Sequence, residues 1–138
     1  MDKFTQAYIE CAIWASTVDD PRYPAGQDNP GGEPMDKHYS LSDFAPETIA
    51  KMEADCQKFQ FRFNANGGNF DESIGKALHD CSPTEYAGHD FWLTRNRHGA
   101  GFWDGDWIEP AASELTELSH SFGECDLYVG DDGLIYHS

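Results

Sequence analysis

Between Pro46 and Gly68 the apolar residues Ile49, Met52, Cys56, Phe59 and Phe63 recur at intervals of three and four, the spacing that lines one side of an α-helix. Pro46 suits the first turn, where its missing N–H is no loss, and Glu47 complements the positive end of the helix dipole. Asn66-Gly67-Gly68 supplies residues that accept a left-handed stop. The spacing predicts a helix over about 46–64. A helix with one apolar side must bury it, so the rest of the chain has to provide an opposing layer.

Two further segments carry the same period. Phe4 to Ala15 places apolar residues at 4, 8, 11 and 15, and Glu109-Pro110 opens a stretch with Ala111 or Ala112, Leu115, Leu118 and Phe122 on one face and Gly123 as its stop. A weaker helix is predicted from Asp71 to Leu78, ended by Ser82-Pro83. Strand signals cluster later. Asp90-Phe91-Trp92-Leu93-Thr94 and Ala100-Gly101-Phe102-Trp103, separated by Arg95 to Gly99, predict a β-hairpin. Asp126 to Val129 and Leu134 to Tyr136, joined by Gly130-Asp131-Asp132-Gly133, predict another. The expected class is α+β: about three to four helices packed on a small antiparallel sheet built from two hairpins in the C-terminal half. Residues 1–138 are read as one domain, with the Pro- and Gly-rich stretch 17–34 as a long surface loop.

Charge narrows the function. The chain of 138 residues has 25 acids against 9 bases, a net charge of -16, which far exceeds the roughly 2–8 charges that keep a small domain soluble. From His98 to Ser138 there is no Lys or Arg. Self-repulsion of this size costs stability and repels both nucleic acid and anionic membranes, while it attracts basic surfaces. Direct binding to nucleic acid needs clustered cations, and Arg95 with Arg97 is a poor substitute. An aromatic content of 14% argues for a folded protein and against an acidic disordered tail. No apolar run is long enough for a membrane span, and Met1-Asp2-Lys3-Phe4-Thr5 lacks the basic-then-apolar pattern of a secretion signal, so cytosolic residence is expected.

Catalytic and metal chemistry have only weak signals. Cys11, Cys56, Cys81 and Cys125 form no C-x-x-C pair and read as free thiols, with His79-Asp80-Cys81 as the one close ligand pair. Asp104-Gly105-Asp106 with Glu109, or Asp131-Asp132, offers oxygens to a hard cation but matches no calcium-loop pattern. No cofactor and no metal are expected. His89, Asp90 and His98 crowd on the predicted 90–103 hairpin with Arg95, where they can act as acid and base beside an anion holder; turn chemistry explains the same residues.

The segments Gly88-His89-Asp90-Phe91-Trp92-Leu93-Thr94-Arg95-Asn96-Arg97-His98-Gly99-Ala100-Gly101-Phe102-Trp103-Asp104, Leu127 to Tyr136 and Ala7 to Trp14 resemble those of a family of small bacteriophage and prophage proteins without a settled activity. One departure is Arg97, where the family pattern has Gly. The resemblance implies an accessory protein acting in the cytoplasm of a bacterial host. Such proteins commonly disarm host enzymes that handle DNA, restriction and CRISPR systems among them. Joined to the charge, this predicts a DNA mimic that occupies the basic, nucleic-acid-binding surface of a host protein. The candidate partner-binding residues are Asp104, Asp106, Glu109, Glu114, Glu117, Asp131 and Asp132. Glu114 and Glu117 fall opposite the Leu115–Phe122 stripe. The alternatives are an enzyme built on His89, Asp90 and His98, and an interaction module using Trp103, Trp107 and the 17–34 loop.

Overall fold

The structure is a computed structural model that describes residues 1–18 and 32–138. Helix α1, Lys3–Ala15, starts where the Asp2 carboxylate accepts the Thr5 N–H at 2.8 Å, satisfying an N–H that has no partner inside the helix. Its buried side carries Phe4, Tyr8, Cys11 and Ala12. Strands β1, Thr17–Val18, and β2, Glu33–Pro34, pair antiparallel. The expected 17–34 loop falls mostly on residues 19–31, outside the described residues; its two ends are joined by this pairing. Two single turns, Met35–Lys37 and Leu41–Asp43, lead into α2.

Helix α2, Pro46–Ala65, matches its prediction to within a residue. Met52, Cys56, Phe59 and Phe63 are buried along it, and the Gly68 N–H closes its end on the Phe63 carbonyl. The helix predicted over 71–78 is only the short α3, Phe70–Ser73, set up by the Asn69 side chain, which accepts the N–H groups of Asp71 and Glu72.

The predicted hairpin over 90–103 is not formed. Residues Pro83–Arg95 are helix α4. Ser82-Pro83 starts this helix where a stop was expected: the Ser82 hydroxyl accepts the Glu85 N–H, the Glu85 carboxylate accepts the Ser82 N–H, and Pro83 sits where no N–H is needed. The strand-like composition arises because α4 is enclosed. Ala87, Gly88 and all of Asp90 to Arg95 are buried, so no polar side reveals the period. Its axis lies very close to α1. A Cβ on Gly88 would fall 2.2 Å from the Phe4 carbonyl oxygen, so only glycine fits.

The end of α4 puts Arg97 in an unusual backbone conformation. The His98 N–H bonds the Leu93 carbonyl and the Arg97 N–H bonds the Thr94 carbonyl, a double closure that puts Arg97 in the left-handed region at φ 56°. A side chain there costs on the order of 1 kcal/mol, whereas the exposed Arg97–Glu124 pair, 3.8 Å apart, returns a few tenths at best. Arg97→Gly is therefore expected to raise the melting temperature by about 3 °C. A variant melting at or below the parent temperature would show that the left-handed residue carries no strain.

Beyond α4, residues 97–110 run as turns. Main-chain bonds from Gly75 to Asp106 and from Ile108 to Ser73 tie this segment to the end of α3. Helix α5, Ala111–Ser121, buries Ala112, Leu115 and Ser119 and ends at Gly123, φ 76°. Strands β3, Leu127–Val129, and β4, Ile135–His137, form the predicted antiparallel hairpin around Gly133. The fold is α+β with a small antiparallel sheet in the C-terminal half, supplied by one hairpin. The outer edge of β4 is covered: its Ile135 carbonyl accepts the Ala45 N–H and the Thr48 hydroxyl. One core joins the elements, with Phe59 and Phe91 rings stacked 4.1 Å apart between Phe4, Tyr8 and Phe102. No described helix is long and apolar enough to cross a membrane.

Candidate functional site

The catalytic candidates are separated by the helix that replaces their hairpin. His89 leans on the Trp14 ring, 5.7 Å between centroids, and burial lowers its pKa. Asp90 points into the core and accepts the Trp107 indole N–H at 2.8 Å. Burial pushes its pKa up to about 7. His98 lies past the end of α4, exposed. Arg95, expected to hold an anion, instead holds a buried carboxylate, at 3.0 Å from Asp55. The cysteines are free; Cys11, Cys56 and Cys125 are buried, and burial raises their pKa values. Among the described residues no group of three or more His, Cys, Asp or Glu side chains is arranged to hold a metal.

The acidic candidates fall into two settings. In the first, Trp103, Glu109, Ser113 and Glu117 line a shallow depression of about 270 Å³ between the 101–110 turns and α5. Trp103 is 54% exposed, a large apolar surface for a lone residue. Glu109 is held in place by accepting both the hydroxyl and the N–H of Ser113. Glu114 and Glu117 are exposed on α5 on the side away from buried Leu115. Asp104 folds its own loop, accepting the N–H groups of Gly101 and Asp106. Asp106 is engaged: the Tyr86 hydroxyl donates to it and Lys76 pairs with it at 3.2 Å. The Tyr86 bond foremost holds its pKa below the ordinary carboxylate range. Lys76 also lies over the Tyr86 ring, so little of the Asp106 charge is left for a partner.

In the second setting, Asp131 and Asp132 lie exposed in the β3–β4 turn beside the stacked rings of Tyr128 and Tyr136. Asp132 accepts the Tyr136 hydroxyl and the Leu134 N–H, which keep it ionised to low pH. The hairpin packs on α2 through β4, and α5 packs on α4 and α2. The two acidic settings are thus carried by separate elements.

Of the two tryptophans considered for an apolar interaction, Trp107 is in the core and Trp103 is outside it. Sequence spacing does not separate them. The difference is that Trp107 finds Asp90, seventeen residues away in the chain. No protein-family model, no curated protein and no solved structure matches this chain.

Proposed function

We propose that this chain is an acidic, phage-type accessory protein that occupies the basic, nucleic-acid-binding groove of a host protein and blocks it. The observation that carries this reading is the surface around Trp103, where an exposed indole is flanked by Glu109 and Glu117, in a stretch of chain with no Lys or Arg after Arg97. Carboxylates take the place of phosphates, and the indole supplies the rigid apolar anchor that charge alone lacks. Steering by the net charge of -16 raises encounter rates by on the order of ten- to a thousandfold, an advantage that salt removes. No chemistry is required of the protein, only occupation. Asp131 and Asp132 provide a second contact, and Asp104 extends the first.

The test is to expose the immobilised chain to bacterial lysate. A DNA-binding protein should be retained, displaced by duplex DNA and released by moderate salt. Changing Glu114, Glu117, Asp131 and Asp132 together to Lys should abolish retention while leaving the helical circular dichroism intact. If that variant retains the same partner, or if duplex DNA does not compete, the groove-blocking reading is wrong.

A further inference from the structure

A separate feature lies between the end of α1 and strand β3. A groove of about 650 Å³ is lined by Thr17, Trp92, Asn96, Leu127 and the carboxylate residues Glu124 and Asp126, a volume in the range of ligand-binding clefts. The register of β3 and β4 pairs Leu127 with His137, Tyr128 with Tyr136 and Val129 with Ile135. Main-chain bonds at both ends, from Ser138 to Asp126 and from Gly130 to Leu134, make Asp126, Tyr128 and Gly130 the hydrogen-bonded rungs. In an antiparallel pair the rungs alternate, so Leu127 and Val129 turn their N–H and C=O groups away from β4. Among the described residues nothing bonds those outward groups. The other edge of this sheet is covered, and among the described residues this one is open, a condition that invites another strand.

A residue lining the same groove carries a second unmet donor, just beneath its surface. Trp92 is only 2% exposed, yet among the described residues its indole N–H has no hydrogen-bond partner. A buried donor left without an acceptor costs on the order of 1–3 kcal/mol, which a ligand carrying a carbonyl relieves. Among the described residues no Lys or Arg lines the groove, while Glu124 and Asp126 are exposed on it; Glu124 meets Arg97 only at 3.8 Å in an exposed pair that a bound cation can displace. The ligand it suits is therefore rich in acceptors, extended and positively charged. A second copy of this chain fits poorly, because each copy brings a charge of -16 to the contact.

We propose that this groove captures an extended, basic peptide segment of a partner protein, which adds to the free edge of β3 as a third strand. Main-chain bonds to Leu127 and Val129 give the affinity, Glu124 and Asp126 select Lys or Arg, and a peptide carbonyl takes the Trp92 indole N–H. The inference does not rest on the acidic surface around Trp103, and either can fail alone.

The probe is a random peptide library displayed on phage and selected against the full chain, with recovered peptides titrated into isotope-labelled protein. The recovered peptides should be cationic and rich in β-branched residues. On binding, the amide protons of Leu127 and Val129 and the indole proton of Trp92 should shift and become protected from exchange. Glu124→Lys with Asp126→Lys, two exposed positions, should weaken binding by roughly tenfold or more. Val129→Pro, which removes an outward N–H and no ladder bond, should do the same. The proposal is overturned if no peptide is recovered, if recovered peptides shift Trp103 and α5 instead, or if the double reversal leaves affinity unchanged. It is also overturned if the Leu127 amide is already protected in a dimer without peptide.

Discussion

Arg95→Ala is expected to remove about 3–5 kcal/mol of stability, enough to consume much of the roughly 5–15 kcal/mol that holds a domain of this kind folded. The guanidinium sits at the last residue of α4, 4% exposed, and reaches three other helices. It donates to the Tyr8 hydroxyl of α1 at 2.9 Å and the Asp55 carboxylate of α2 at 3.0 Å. It also donates to the carbonyls of Phe122 and Gly123, at the end of α5. Those carbonyls are at the negative end of the α5 dipole and have no partner within the helix, so a buried cation there closes the helix as well as pairing with Asp55. The Phe91 and Phe122 rings flank the same group at 5.6 and 5.7 Å. Removing it strands these acceptors in the core, with the partly exposed Lys51 left for Asp55. Arg95→Lys keeps the charge but cannot reach all these acceptors from one ammonium, so it should recover well under half the loss. Urea unfolding midpoints measure both. A loss under about 1 kcal/mol for the alanine variant would place the network among ion pairs that merely break even.

The same residue shows what the sequence reveals and what it hides. Helix α2 is legible because its apolar residues keep to one side and because both ends carry their own signals, Pro46 and Asn66-Gly67-Gly68. Helix α5 and the β3–β4 hairpin are legible for the same local reasons. Helix α4 is not. Its neighbours cover nearly every side, so apolar residues occupy consecutive positions and mimic a strand. Ser82-Pro83 then misleads, because proline disfavours a helix before it and favours one after it. Glu85, three residues past Ser82, decides between them. Once α4 is a helix, the cluster of His89, Asp90, Arg95 and His98 loses its shared turn.

For the surface, the exposure of Glu114 and Glu117 follows from the position of Leu115 on the helix, a local fact. The commitment of Asp106 to Lys76 and Tyr86, and the opposite fates of Trp103 and Trp107, depend on contacts between distant parts of the chain. No spacing rule reports those. The net charge is legible from composition alone, whereas the fold decides which carboxylates stay exposed and which are tied up in the protein's own contacts.

Asp90 is expected to make the protein less stable as pH rises from about 4 to about 7, against the usual trend for a carboxylate-rich chain. Asp90 is 4% exposed, and burial foremost raises its pKa to about 7 from an ordinary 3.8, with the charges of Asp104 and Asp106 adding to the effect and the Trp107 bond opposing it. Below pH 4 the group is protonated in both folded and unfolded chains and contributes nothing to the pH dependence. Between pH 4 and 7 the unfolded chain gives up the proton while the folded chain keeps it, so the unfolded state gains. Above pH 7 both are ionised and the full loss, at most about 4 kcal/mol, is reached. Asp90→Asn cannot ionise, and its side-chain oxygen still accepts the Trp107 indole N–H. Relative to the parent chain, the variant should therefore be about as stable at pH 4 and more stable by several kcal/mol at pH 8. Comparing the two proteins removes the opposite contributions of Asp2 and Asp106, whose pKa values are lowered on folding and which are common to both. Thermal unfolding of the pair across this range makes the test, and a difference that does not grow with pH would mean that Asp90 ionises as freely inside the fold as outside it. Growth of the difference would show that the core keeps an uncharged acid beneath a surface that carries the protein's negative charge. The buried carboxyl would then be a cost of placing Trp107 in the core, next to the turns that present Trp103.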